Sequence, residues 1–408
     1  MPALFLPCAA GVEALLAAEA TRIAGRPAAA GRGGVFVDGD EALAMRLNLE
    51  SRLAQRVLWP LAQGPYGDEQ ALYALARGVR WGDWIGPEQT LAVDVAARRS
   101  PLRSLNFAAL RVKDAVCDAL RETHGARPSV DTRRPDLPLV LFAGASEAAL
   151  YADLSGEPLF KRGWREDRGE APLKETLAAA LLAAADWQGR AEDGPLLDPC
   201  CGAGTIAIEA AQLTCGIAPG LTRRFAFEGL APFRPHLGAW RLLQQEARAR
   251  VRAPAAAVFA GDVSFRMTDF ALRNAARAGV TGAIEFKTAD ALQRLPPAAR
   301  GTIVMNPPYG ERLTPKGQRP PAAAREDFAG AGSAEAFFTA LAAHWKGHYG
   351  GWTAWVLSPQ MKLPGLMRLQ ETRRVPLWNG PIECRLFRFE IEARQPHRAP
   401  ADAAPAKP

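Results

Sequence analysis

Short apolar runs and longer stretches of helical periodicity take turns along the whole chain. Apolar runs at 3–6 and 34–37 predict strands, and amphipathic stretches at 11–24 and 40–49 predict the helices that follow them. Residues 69–78 and 105–123 carry helical spacing, with strands predicted at 90–96 and 139–143. Farther on, helices at 173–185, 206–213, 239–252, 267–278 and 334–344 are separated by apolar runs at 195–198, 258–262, 284–290 and 301–305. Alternation at that spacing calls for a mainly parallel sheet with helices on both faces. The last two runs, 373–378 and 382–391, flank Asn379 and Gly380, a strong hairpin signal, so this sheet is expected to finish on an antiparallel pair. From Ala393 onward Pro, Ala and isolated charges dominate, and residues 393–408 read as a disordered tail.

Candidate chemistry gathers where the predicted strands end. Asn306, Pro307, Pro308 and Tyr309 follow the run at 301–305, so a strand tip carries an amide, two prolines and an aromatic ring. The exocyclic amine of a nucleobase is a poor nucleophile because its lone pair is delocalised into the ring. Acceptors placed around its N–H bonds hold that lone pair toward an electrophile. The Asn306 side-chain oxygen and the Pro307 carbonyl are two such acceptors, and the prolines stiffen the turn and remove competing donors. Tyr309 can stack on the base. The same four residues also suit an ordinary turn after a buried strand, so the upstream context decides between the readings.

Upstream, the run ending at Asp198 leads through Cys200, Cys201, Gly202 and Gly204 into the helix at 206–213, an arrangement that brings backbone close to a nucleotide-like ligand. Gly202 and Gly204 lack the Cβ that would block this approach. The third glycine of the dinucleotide fingerprint is missing, and a carboxylate at Asp198 suits hydroxyls and a cationic amine better than a pyrophosphate. S-adenosylmethionine fits that description. Asp262 ends the next run and suits ribose hydroxyls; Asp290 ends the one after and suits an adenine amine. Each alone reads as an ordinary cap, and their order ahead of Asn306 favours the ligand.

Composition narrows the class without deciding it. A length of 408 residues points to two or three domains, and 48% hydrophobic residues support globular folding. The formal charge of +7 suits an anionic partner, although the arginine bias of a GC-rich genome gives the same balance. Arg98, Arg99, Arg103, Arg111, Lys113, Arg127, Arg133 and Arg134 are interleaved through one region and read as a platform for phosphates. Six cysteines without a Cys-x-x-Cys pair read as reduced thiols in a cytoplasm. Residues 1–10 have no basic segment and contain Pro2 and Pro7, so no signal peptide is expected, and no apolar stretch reaches membrane-spanning length. His344 and His348 lack the glutamate of a zinc-protease motif and read as packing or surface residues, with no metal expected.

Taken together, residues 159–165, 171–175, 198–205, 216–221, 306–312 and 379–384, with 48–52 and 127–131, resemble the THUMP-domain guanine-N2 methyltransferases of bacterial 23S ribosomal RNA. The resemblance runs from residue 1 to about 392. Trp164 stands where that family usually has a tyrosine, and Val263 and Ser264 stand where a second acid is common. The resemblance implies an α/β architecture: a ferredoxin-like domain at 1–60, a THUMP RNA-binding domain at 61–155 and a class I, Rossmann-like methyltransferase domain at 156–392. It implies transfer of a methyl group from S-adenosylmethionine to the N2 amine of a guanosine. Asn306, Pro307, Pro308 and Tyr309 would be catalytic, and Asp198, Cys200, Gly202, Gly204, Asp262, Asp290 and Asn306 would hold the cofactor. The expected partner is large-subunit precursor or protein-poor 23S RNA, in the cytoplasm, with no membrane. The family includes longer chains with a second methyltransferase domain, and the sequence as it stands implies the N2 activity alone. Adenine-N6 methylation and a non-catalytic ribosome-assembly factor are the rival readings.

Overall fold

The computed structural model describes residues 1–169, 172–307 and 334–392. The tail expected at 393–408, and with it Pro308 and Tyr309, lies outside the described residues.

The N-terminal sheet contains β1 (Ala3–Pro7), β2 (Ala29–Gly31), β3 (Gly34–Asp38), β4 (Leu58–Pro65), β5 (Thr90–Ala97), β6 (Ser129–Val130), β7 (Leu137–Ala143) and β8 (Glu147–Asp153) in the order β2-β3-β1-β4-β8-β7-β5-β6. Strict alternation in β1 sends Leu4 and Leu6 into the helix-covered core and Phe5 to the other face, where it stacks on Phe36. Helices α1 (Glu13–Ala24), α2 (Glu41–Glu50), α3 (Glu69–Arg77) and α4 (Leu105–His124) cover this sheet. Asp40, Asp68 and Ser104 each accept a backbone N–H from the first turn of the helix they precede. The two N-terminal modules share one sheet because β4 pairs with β1 at Leu58 and with β8 along its length. β4 reads as loop in sequence because it contains Pro60 and Pro65. The sheet absorbs Pro60 through a register shift between Pro60 and Ala62.

The C-terminal sheet contains β9 (Leu196–Asp198), β10 (Val258–Asp262), β11 (Ile284–Thr288), β12 (Thr302–Met305), β13 (Thr353–Ser358), β14 (Glu371–Asn379) and β15 (Ile382–Glu390). Their order is β11-β10-β9-β12-β13-β15-β14, parallel from β11 to β13 and antiparallel over the last two strands. The expected terminal hairpin is present, with Gly380 in its turn at φ 61°. From β9 the chain moves outward through β10 and β11, then returns to the other side of β9 as β12. That reversal opens a crevice beyond the carboxyl ends of β9 and β12, where open α/β sheets bind ligands. Helices α5 (Glu175–Ala184), α6 (Thr205–Thr214), α7 (Leu237–Ala249), α8 (Phe265–Arg277), α9 (Ala334–His348) and the short α10 (Leu363–Met367) complete the layers.

The two halves are joined by a buried ionic cluster. Glu209 on α6 is fully buried and accepts from Arg162 Nε at 3.0 Å and from Arg52 Nη1 at 3.3 Å. Arg52 also donates to the carbonyl of Ile217, and Arg162 donates to the carbonyls of Leu159 and Arg52. Backbone packs tightly along the same seam: a Cβ on Gly220 would lie 2.6 Å from the carbonyl oxygen of Asn48. Among the described residues, no helix is long and apolar enough to cross a membrane.

Candidate active site

Three acidic residues converge on one loop. Asp198 closes β9, Asp262 closes β10, and Asp290 lies two residues past the end of β11, which stops at Thr288 rather than running on to the acid. The Cys200 thiol between them feels all three carboxylates; burial first, and then Asp198, Asp262 and Asp290, push it well above the ordinary thiol range. Burial holds the Cys201 thiol up as well, so both thiols stay protonated and unreactive.

The glycine turn is held from below. Gly202 N–H donates to Asp262 Oδ2 at 3.0 Å, and Cys201 N–H donates to the carbonyl of Gly261 at 2.7 Å. Asp262 Oδ1 takes the N–H of Ser264 at 2.9 Å. Two bonds leave about half of the carboxylate's lone-pair sites open. The two glycines divide the work. Gly202, at φ 51°, faces open space, whereas a Cβ on Gly204, at φ 87°, would lie 2.9 Å from that of Ala271 on α8. Asp290 Oδ1 caps its own turn through Leu292 N–H at 2.9 Å.

Asp198 is 1% exposed, and its Oδ1 takes the N–H of Cys200 while Oδ2 has no partner. Burial, with Asp262 adding to it, pushes the carboxyl up to about 8, against the opposing pull of the Cys200 amide and Arg294. Folding therefore favours the neutral acid. Its stabilising contribution is complete below the ordinary carboxylate range and is lost as pH rises through about 8. Asp198→Asn should remove that loss. In thermal scans of the free protein from about pH 5 to 9, the wild type should fall with rising pH more steeply than the variant; parallel curves would exclude Asp198 as the titrating group. An orphaned buried carboxylate oxygen beside an open glycine is what a ligand with a cationic amine and hydroxyls would complete, so these residues fit S-adenosylmethionine.

Asn306 follows β12, half-buried, with Pro307 buried behind it. β12 lies directly beside β9, and β12 and β13 run in register from Thr302 opposite Thr353 to Met305 opposite Val356. Asn306 thus sits at the same sheet edge as Asp198, on the far side of the crevice. Arg294 escapes sequence reading. It is 5% exposed and packs so closely under β10 that a Cβ on Gly261 would lie 2.3 Å from its Nη1. The glycine inside that strand pattern was the available signal. His344 is a packing residue and His348 an exposed one: their rings lie 4.8 Å apart, and His344 Nε2 bonds the Arg294 carbonyl at 2.7 Å. Among the described residues no cluster of three or more His, Cys, Asp or Glu could hold a metal ion.

The basic platform divides into two groups. Arg98, Arg99 and Arg103 are exposed after the carboxyl end of β5, and Phe107 in the first turn of α4 is 49% exposed. Arg127, Arg133 and Arg134 lie near β6, which pairs with the opposite end of β5 at Thr90 and Leu91. Eight strand residues separate the groups, roughly 25 Å at the usual rise. Arg111 and Lys113 are engaged with Asp114, and Arg111 lies over the Tyr73 ring.

A family model described as the RMKL-like methyltransferase domain matches residues 162–388. The chain belongs to that family. A THUMP domain matches residues 66–153, and the ferredoxin-like domain named for RlmL matches 3–58. The ribosomal RNA large subunit methyltransferase K/L of Syntrophotalea carbinolica is 37% identical over 404 residues, covering 97% of this chain and 54% of its own length. The chain spans about half the length of the curated relatives it matches. A possible methylase from Clostridium difficile 630 superposes with TM-score 0.82 at 26% identity, covering 97% of this chain and 99% of that one. A predicted N6-adenine-specific DNA methylase from Listeria monocytogenes str. 4b F2365 superposes at 0.80 with 27% identity, covering 95% and 96%. The RMKL-like match thus runs from ahead of β9 into β15, with the candidate cofactor residues, Asn306 and Pro307 inside it.

Proposed function

We propose that this chain transfers a methyl group from S-adenosylmethionine to the exocyclic N2 of a guanosine in 23S ribosomal RNA, within the cytoplasm. The observation that carries the reading is that Asn306, just past the end of β12, shares the carboxyl end of the sheet with Asp198 at the end of the neighbouring parallel β9, an amide beside a set of acidic strand ends. When bound, the cofactor supplies an electrophilic sulfonium methyl. Asp198 would hold its amine, Asp262 its ribose, Asp290 its adenine, and the Gly202 turn would let backbone approach. Asn306 and Pro307 would orient the target amine, with Pro308 stiffening the turn and Tyr309 stacking on a base flipped out of its helix. No strong base is needed, because the methylated amine loses its proton to solvent. We assign residues 1–60 to the ferredoxin-like module, 61–155 to the THUMP module and 156–392 to the catalytic domain.

Because a cationic ligand amine favours ionised Asp198, cofactor binding at about pH 7 should release about one proton, and affinity should rise as pH increases toward 8. Calorimetry in buffers of different ionisation enthalpy reads this directly. Binding without proton release would remove Asp198 from the cofactor site.

The RNA end of the reading makes a separate demand. Affinity for protein-poor 23S RNA should fall log-linearly with salt, and replacing Arg98, Arg99 and Arg103 together by Gln should lower that slope by roughly 2, at about 0.7 per phosphate contact. Filter binding at several salt concentrations checks it. An unchanged slope would exclude this end of the THUMP module as the phosphate contact. A second reading, adenine-N6 methylation, draws on the Listeria neighbour; the THUMP match weighs toward RNA, and the methylated nucleoside separates the two.

A further inference from the structure

Helix α8 shows a polar residue where its pattern calls for an apolar one. Its buried stripe is Thr268, Ala271, Asn274 and Ala275, and Asn274 is fully buried. A buried amide is costly unless all its bonds are made. Here they are. Asn274 Nδ2 donates to the carbonyl of Ala203 at 3.1 Å and to that of Asp167 at 2.9 Å. Its Oδ1 accepts the N–H groups of Glu166 and Asp167, each at 3.3 Å, and Arg277 Nη1 at 2.9 Å.

Ala203 lies between the two glycines of the turn, and one helical turn earlier on the same stripe Ala271 is the residue that Gly204 abuts. α8 is therefore a template for the turn: Ala271 permits the close approach and Asn274 latches the carbonyl. The same amide grips residues 166–167, part of the segment that enters the C-terminal domain from β8. Arg273 and Arg277 pair with Asp167 on the outer side of this joint.

We propose that Asn274 is a positioning residue for the cofactor, fixing the Gly202–Gly204 turn against residues 166–167 so that the turn is preorganised to receive S-adenosylmethionine. This rests on the cofactor reading above. Asn274→Asp is the informative substitution, because it keeps an acceptor for Glu166, Asp167 and Arg277 but replaces the donor to Ala203 and Asp167 with an oxygen that opposes their carbonyls. Calorimetry with S-adenosylhomocysteine should show a dissociation constant raised on the order of tenfold. Arg273→Ala, which weakens the outer side of the joint without touching the latch, should bind within about twofold of wild type. Wild-type affinity in Asn274→Asp, or an equal loss in Arg273→Ala, would overturn the assignment.

Hydrogen exchange on the wild type keeps the test independent of whether the variant folds. S-adenosylhomocysteine should protect the amides of residues 166–167 along with those of 202–204. Protection confined to the turn would overturn the proposal, whereas a wild type that does not bind the probe at all would instead defeat the cofactor reading.

Discussion

Asn306→Ala is expected to lower the single-turnover rate of methyl transfer by about 10²-fold or more while leaving cofactor affinity within about twofold. The asymmetry follows from position. Asn306 lies at the tip of β12, across the crevice from the Asp198, Gly202 and Asp262 side. Its side-chain oxygen would align an amine whose lone pair is otherwise delocalised, and loss of one preorganised polar contact at a reacting centre costs on that scale. The Pro307 carbonyl remains in the variant, so residual activity is expected. Rapid-quench assays at saturating cofactor separate chemistry from binding, and a wild-type rate would remove Asn306 from the mechanism. Tyr309→Phe should be far milder than Tyr309→Ala, because stacking needs the ring and not the hydroxyl.

Glu209→Ala should be the most damaging single change to stability, on the order of 3–5 kcal/mol. It leaves Arg162, 2% exposed, and half-buried Arg52 without their shared carboxylate. Thermal and urea melts would show the loss, and Glu209→Gln should recover part of it by keeping an acceptor for Arg162. A loss below about 1 kcal/mol in Glu209→Ala would mean that the backbone carbonyls of Leu159, Arg52 and Ile217 suffice for the two guanidinium groups. The cluster also bears on function. Arg52 lies within the ferredoxin-like match and Glu209 on the helix that begins at the glycine turn, so the N-terminal sheet and the methyltransferase domain are joined through one core.

Much of the C-terminal sheet was legible because parallel strands buried on both faces write continuous apolar runs, and because each ends on a residue that stands out: Asp198, Asp262 and Asn306. The hairpin was legible from Asn379 and Gly380. Strands β4 and β8 were not. Pro60 and Pro65 disguise the first, and the second, Glu147–Asp153, is rich in Ala and Leu that carry no strand preference; both are fixed by long-range pairing. The candidate site was legible as a set of strand tips, while the residues packed against it were not. Arg294 reaches the site from a loop and Asn274 from within a helix, and the glycine in the β10 pattern and the polar break in the α8 stripe mark a close approach without saying what folds against it. The single basic platform expected from interleaved arginines proved to be two groups at opposite ends of β5, a separation that residue spacing along the chain could not show.

The most direct test of the central claim is the identity of the methylated nucleoside. Purified protein, incubated with isotopically labelled S-adenosylmethionine and protein-poor 23S RNA, should yield labelled N2-methylguanosine on complete digestion and mass spectrometry, with Asn306→Ala yielding far less in the same time. Label recovered as N6-methyladenosine, or no label transferred by a wild type that binds the cofactor, would contradict it.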